Sequence, residues 1–259
     1  MQNMLFRMLI PRILWQTYKS SDPPAAAAAC MASWRKYNHN HKFIYMGDLE
    51  CEEFIEQWFE PEFFEMYKAL PVGVMKADVW RVAVVYIYGG IYADVDTECR
   101  APVEDWIGSS STLVAAVEND TGALGNFAFA AIPRHPALYR VLQTFVELYN
   151  SESFMNATSP TPVQDFGAGA WSMGVLKYYD LFDRQLQLKG ELDHSLSRKA
   201  IAENAVLYSA ESRVISAYPN ENTRVFHQTA SVFWESGYHS WREDQQSHFG
   251  SQAESTHLA

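Results

Sequence analysis

The sequence predicts an α/β sandwich built on a mostly parallel sheet. Three observations carry that expectation. Short apolar runs of strand length alternate with longer amphipathic segments, the signature of βα units. One segment, residues 74–88 (VMKADVWRVAVVYIY), is apolar on nearly every side, interrupted only by Lys76, Asp78 and Arg81, and such a helix is a buried one. It runs into Gly89-Gly90, a helix stop, and then into residues 91–96, whose alternation is that of a strand.

Taken in order, Met8 to Thr17 (MLIPRILWQT) reads as a short buried strand with Ile10, Ile13, Leu14 and Trp15 as its apolar body. Asp22 with Pro23-Pro24 is a helix start, and the alanine run Ala25 to Ala29 carries that helix through Met31 and Trp34. Lys42 to Met46 is a second strand. Asp48 is expected to cap the next helix, with Leu49, Ile55, Trp58 and Phe59 on its inner face, and Pro61 opens another helix ending near Leu70-Pro71. Beyond the centre, Leu113 to Val117 and Asn126 to Ile132 are strands, and Pro136 begins a helix to about Tyr149. Gly167-Ala168-Gly169 is expected to break the chain before a helix over residues 170–179. Val206 to Tyr208, Val214 to Ala217 and Arg224 to His227 are short strands.

The 259 residues suit one domain, residues 1–242, followed by a polar and disordered tail over residues 243–259. A hydrophobic content of 48% supplies a core, while a net charge of −11 argues against nucleic acid or an anionic membrane surface as partner. Cys30, Cys51 and Cys99 form neither a disulfide framework nor a zinc motif, so free thiols are expected. No apolar run reaches the roughly 20 residues of a membrane span. As given, the chain reads as cytoplasmic; the Golgi lumen would be the setting had an N-terminal anchor been removed.

The chemistry concentrates in the centre. Asp78 and Arg81 stand three residues apart and share a helix face. The alternation over residues 91–96 predicts that Tyr92, Asp94 and Asp96 point to one side, with the neighbouring carboxylates about 6.6 Å apart along the chain. Two like charges this close repel unless a cation or a set of donors lies between them. A hard divalent cation, Mn²⁺ or Mg²⁺, held by carboxylates and by phosphate oxygens of a substrate answers that requirement. Asp-x-Asp alone is weak, since the same residues also end strands in solvated turns; the buried helix with Asp78 and Arg81 strengthens it.

These pieces, IPRILWQTYKS, SWRKYNHNHKFIYM, VMKADVWRVAVVYIYGGIYADVDT, AAIPRHPAL and FGAGAW, together resemble glycosyltransferase family 32, the sugar transferases with an Asp-x-Asp motif. Within it the likeness is to the yeast-type initiating α-1,6-mannosyltransferases and their relatives. The resemblance implies a GT-A fold, a nucleotide-sugar donor (GDP-mannose favoured, UDP-sugars next), Mn²⁺ or Mg²⁺, a glycan or glycolipid acceptor, and transfer with retention. It implies Asp94, Asp96 and Arg81 as catalytic residues. Trp15, Asp78, Arg81, Asp94, Asn126, Ser231 and Trp234 would bind the donor, and Asp94, Asp96 and His227 the metal. The late segment HQTASVFW departs from the family, whose Ser and Trp are adjacent, which weighs on Ser231 and Trp234 more than on His227.

Blander readings stand beside these. Asp78 with Arg81 is also what a buried structural ion pair looks like, Trp15 is also a core residue, and Glu118, Asn119 and Asp120 are also a solvated loop. Trp34, Trp58, Trp80 and Trp106 read as core. Two rival functions remain at this stage: a haloacid-dehalogenase-type phosphatase using Asp94 and Asp96, and a catalytically silent sugar-nucleotide or glycan binder.

Overall fold

The computed structural model describes residues 9–118, 123–152 and 162–183, and further along 199, 202–203, 205–208, 215–216 and 226–228. At its centre is a six-stranded sheet. Its strands are β1 (Ile13–Thr17), β2 (Lys42–Met46), β3 (Gly90–Ala93), β5 (Leu113–Glu118), β6 (Ala123–Ala131) and β7 (Ala205–Tyr208), in the order β2-β1-β3-β6-β5-β7. All pairings within it are parallel except those of β6, which runs against both β3 and β5. The expected mostly parallel sheet is thus present. A second, three-stranded sheet joins β4 (Thr97–Cys99), β8 (Ile215–Ser216) and β9 (Phe226–Gln228), with β9 in the middle.

Strand alternation sorts the core into two layers. Tyr92 of β3 and Phe129 of β6 are cross-strand partners with ring centroids 5.8 Å apart, and they face the larger cluster under the helices. Those helices are α2 (Asp48–Trp58), α3 (Pro61–Ala69), α4 (Gly73–Tyr88), α5 (Pro136–Tyr149) and α6 (Ala170–Tyr178). Ile91 and Ala130, one position along, face the other layer with Trp34 of α1 (Ala28–Tyr37) and Trp106. Residues on both faces of the central strands are buried, which is why these strands read as continuous apolar runs.

Several expectations shift. The first strand begins at Ile13 rather than Met8, although Ile10 is still buried. The start of α1 is a 3₁₀ turn, Ala25–Ala27. Asp48 is the first residue of α2 and not its cap; the Glu50 carboxylate accepts the Gly47 N–H at 3.1 Å instead. The inner face of α2 is Cys51, Phe54 and Ile55, since Leu49 is 77% and Trp58 39% exposed. Trp58 packs edge-on against Tyr88 at the rim of the core, so of the four tryptophans read as core it alone is at the surface. Gly167-Ala168-Gly169 does not break the chain: a helical turn at Pro162–Gln164 continues through a π-helical turn, Asp165–Gly169, into α6. The three cysteines are free and buried, as expected. The proposed tail, residues 243–259, lies outside the described residues.

The α4–β3 connection leaves no room for a side chain. Gly89 and Gly90 both have positive φ, 68° and 106°. A Cβ on Gly89 would lie 2.7 Å from Pro133, and one on Gly90 2.6 Å from the Ile13 carbonyl oxygen. Only glycine satisfies backbone conformation and space at both positions.

The AAIPRHPAL segment proves to be a helix start. Arg134, at φ 58°, donates its N–H to the Tyr86 carbonyl, and His135 caps α5 by accepting the Ala137 N–H on Nδ1 at 3.1 Å. The His135 Nε2 lies 3.3 Å from the Tyr179 hydroxyl, and burial pushes its pKa down from 6.5 to about 4. An unfolded imidazole therefore takes up its proton at a higher pH than the folded one. The stabilisation is complete above pH 6.5 and is lost as pH falls through the window to about 4. His135→Asn, which retains a capping acceptor, should flatten the fall of Tm with pH across that window. Burial lowers His41 in the same direction, so the slope should shrink rather than vanish. An unchanged slope would mean that His135 is not the group responsible.

Candidate active site

The sequence brings Asp78, Arg81 and Asp94 to one level by simple geometry. From Gly90 to Asp94 the chain climbs about 13 Å along β3. Descending α4 by the same distance from Gly89 covers about nine residues, which ends beside Trp80, between Asp78 and Arg81. Asn126 enters from β6, whose Ala128 pairs with Ala93, so that residue 126 stands just beyond the carboxyl end of β3. Ligands of open α/β sheets bind at that edge.

The four side chains interlock. Asp78 Oδ1 takes the Arg81 guanidinium at 3.1 Å and the Asn126 amide at 2.8 Å. Arg81 reaches Asp94 Oδ1 at 3.3 Å and donates to the Asn126 carbonyl at 2.9 Å. The Tyr92 hydroxyl donates to Asp94 Oδ1 at 2.5 Å, and the Arg81 guanidinium lies over the Tyr92 ring, 4.7 Å from its centroid. Tyr92 was not singled out as a site residue from the sequence. The signal was available, because the alternation sets it two positions before Asp94 on the same side of the chain. An aromatic column supports it from below: Trp80 to Tyr92 at 6.4 Å, Tyr92 to Phe129 at 5.8 Å and Phe129 to Trp171 at 4.2 Å.

The Asp-x-Asp pair is not on a strand. β3 ends at Ala93, and residues 94–97 form a turn closed by the Thr97 N–H to the Asp94 carbonyl at 3.0 Å. The alternation read through residue 96 therefore stops three residues early, because β6 supplies its last hydrogen bond at the Asp94 N–H, accepted by Phe127. Asp94 is 21% exposed at its side chain and Asp96 is 8% exposed overall.

Trp15 is buried, donates its indole N–H to the Gly89 carbonyl at 2.9 Å and stacks on Tyr88 at 5.6 Å, toward the C-terminal end of α4. It is not among the groups gathered around Arg81. His227 lies on β9, where its backbone pairs opposite Glu98 of β4, two residues beyond Asp96. Ser231 and Trp234 lie outside the described residues, as do Asn119 and Asp120. Gln16 of β1 is buried with its amide nitrogen lacking a hydrogen-bond partner among the described residues.

Charge dominates this cluster. Asp78, Asp94 and Asp96 outnumber the Arg81 guanidinium three to one. Burial pushes the Asp78 carboxyl up from 3.8 to about 6, with Asp94 adding to the rise and Arg81 opposing it. Burial likewise raises the Asp94 carboxyl from its ordinary value, against the pull of Arg81 and Tyr92. For Arg81, burial works against the charge, but Asp94, Tyr92, Asp78 and Asp96 hold its pKa above the usual arginine value. A hard cation suits such a cluster: the donors are carboxylate oxygens, and the contacts of Asp94 described above all fall on Oδ1. Among the described residues, no group of three His, Cys, Asp or Glu converges as a metal site on its own. Water or substrate oxygens would complete the coordination of an ion held at the turn.

Removing the guanidinium leaves these carboxylates buried without compensation. Arg81→Ala should lower unfolding stability by on the order of 3–5 kcal/mol in urea titrations near pH 7.5, with part of the loss recovered toward pH 5 as Asp78 protonates. A loss below about 1 kcal/mol would show that Arg81 is not the counter-charge holding the cluster.

A family model described as the glycosyltransferase sugar-binding region containing the DXD motif matches residues 24–113, which include α4 and the Asp94–Asp96 turn. The glycosyltransferase HOC1 of Saccharomyces cerevisiae is 22% identical over 86% of this chain and 65% of its own length. The initiation-specific alpha-1,6-mannosyltransferase of Candida albicans is 30% identical over 43% of this chain and 30% of its own. The chain thus spans from about a third to just under two thirds of these relatives. Among solved structures, the ligand-free glycosyltransferase domain of the YGT toxin superposes with a TM-score of 0.51 at 8% identity, over 68% of this chain and 79% of that domain. That likeness shows the fold alone, the GT-A glycosyltransferase fold. Over residues 24–113 the chain is thus similar to glycosyltransferases with a DXD-containing sugar-binding region, and its Asp94-Val95-Asp96 is an Asp-x-Asp inside the matched segment.

Proposed function

We propose that the chain transfers a hexosyl group, with mannose favoured, from a nucleoside-diphosphate sugar to a hydroxyl of a glycan or glycolipid acceptor, with retention at the anomeric carbon. The observation that carries this reading is the carboxylate cluster around one buried guanidinium at the carboxyl end of the sheet. Asp78, Asn126 and Asp94 present acceptors and a donor to sugar hydroxyls on one wall of the site. Arg81 remains positive at any working pH, so a diphosphate can approach carboxylates that would otherwise repel it. Tyr92 holds Asp94 in a single orientation through the 2.5 Å hydrogen bond. Asp94 and Asp96, with His227 from β9, would hold Mn²⁺ or Mg²⁺, which supplies neutralisation of the charge developing on the departing diphosphate. The mannosyltransferase among the relatives supports mannose as the transferred sugar; GDP-mannose is then the favoured donor, with UDP-sugars next.

The phosphatase alternative has no comparable support. That chemistry places its Asp-x-Asp on the first strand, whereas β1 here is ILWQT, without a carboxylate. Among the described residues no helix is long and apolar enough to cross a membrane.

A thermal-shift panel of GDP- and UDP-sugars, each with and without Mn²⁺, identifies the donor, because a ligand that binds only the folded chain raises Tm. GDP-mannose with Mn²⁺ should give the largest rise, and chelator should remove it. A rise that is indifferent to chelator would overturn the metal-dependent reading. Asp96→Asn should abolish Mn²⁺-dependent donor turnover while leaving the ligand-free Tm within a few degrees of the native chain. Native-like transfer by that variant in Mn²⁺ would remove Asp96 from the mechanism.

A further inference from the structure

Gly167 lies in the π-helical turn Asp165–Gly169, against the middle of α4. A Cβ built on it would stand 2.0 Å from Asp78 Oδ2 and 2.8 Å from Asp78 Cγ. No side chain fits in that gap, so the Asp78 carboxylate lies directly on the bare α-carbon of Gly167. The other carboxylate oxygen, Oδ1, is held by Arg81 and Asn126. The carboxylate is thus clamped between two donors on one side and a glycine on the other. The backbone does not demand glycine here: among the described residues Gly89 and Gly90 are the glycines with positive φ, and Gly167 is helical. What demands it is the neighbour. A π turn is a feature often found beside functional sites, because its extra residue alters what the helix presents.

We infer that Gly167 is a positioning residue of the donor site: its missing side chain fixes where the Asp78 carboxylate stands, and through Asp78 it sets Arg81 and Asn126. This rests on the reading of that cluster as the donor site. Gly174 of α6 is the contrast. A Cβ there would meet Val141 Cα of α5 at 2.6 Å, so that glycine serves helix packing and touches no group of the site.

The test is a double-mutant cycle on the full chain with Gly167→Ala, Asp78→Ala and both together, with Gly174→Ala as control. Truncating Asp78 leaves only its Cβ, which lies 3.5 Å from the Cβ that alanine would add, an ordinary contact. In the native background Gly167→Ala should lower Tm and weaken GDP-mannose binding with Mn²⁺ at least tenfold. In the Asp78→Ala background the same substitution should leave Tm unchanged or raise it, since alanine is the better helix former. Gly174→Ala should lower Tm equally in both backgrounds and leave donor affinity unchanged. If the single Gly167→Ala chain does not fold, recovery of folding by Asp78→Ala is the same result. Equal Tm losses for Gly167→Ala in both backgrounds would overturn the inference, as would unchanged donor affinity in a native chain that binds donor. If the native chain binds no sugar nucleotide, the donor-site reading fails, while the dependence of Tm on the residue at 78 still decides what Gly167 positions.

Discussion

The site depends on one buried guanidinium. Withdrawing Arg81 from water costs several kcal/mol, and what offsets this is the set of carboxylates drawn around it. Their number exceeds what one positive charge can balance, and burial adds to the cost of their charge, lifting the Asp78 carboxyl to about 6. A protein selected only for stability would gain by replacing such a cluster with apolar side chains of similar volume. Its retention at the carboxyl end of a largely parallel sheet is consistent with a site that receives positive charge from outside the chain. Under the proposed transfer, that surplus of negative charge is the physical reason why a cation would accompany the diphosphate.

The cluster stays assembled because the elements bearing it have little freedom to slide. Gly89 and Gly90 turn the chain from α4 into β3 within two residues, where any Cβ would strike Pro133 or the Ile13 carbonyl. The register between helix and strand is therefore fixed, and with it the level at which Asp78 and Arg81 meet Asp94. The adjoining turn is pinned as well. Phe127 accepts the Asp94 N–H at 2.8 Å, and the Trp34 indole donates to the Thr97 carbonyl at 2.8 Å. Donors and acceptors aimed in advance at a ligand need no reorganisation during reaction, which is where electrostatic catalysis gains most.

How much of this was legible in the sequence follows from which forces set each part. The all-round apolarity of α4, the Gly-Gly stop and the Pro-headed helix at Pro136 are local signals, and each predicted its element. The partnership of Asp78 with Arg81 followed from helical spacing alone. The end of β3 was misplaced because alternation continues in the letters through Asp96, while the strand stops where β6 stops pairing, and that depends on residues some thirty positions away. The inner face of α2 was misassigned for a related reason: Leu49 and Trp58 are apolar, but burial was decided by how α2 meets α3 and α4. Gly167 looked like a break because glycine usually signals one. Its reason for being glycine is a carboxylate 89 positions earlier in the chain (167 − 78), and one-dimensional patterning carries no trace of that contact.

The small sheet joins distant parts of the chain beside the acidic turn. β4 follows directly on the Asp94–Asp96 turn, and its partner is β9, from the far end of the chain. Pairing Glu98 with His227 ties that late segment to the acidic turn by main-chain hydrogen bonds, whatever the side chains do. Closing so long a loop costs entropy that grows only slowly with its length, so a three-residue strand at the rim of the site is a cheap way to recruit a distant part of the sequence. The main sheet and its helices fix Asp78, Arg81, Tyr92 and Asn126 without help from β9. The acidic turn is the point at which this rigid half of the molecule meets the backbone of β9, so that late segment is joined to the site's rim without disturbing the half that carries the buried charge.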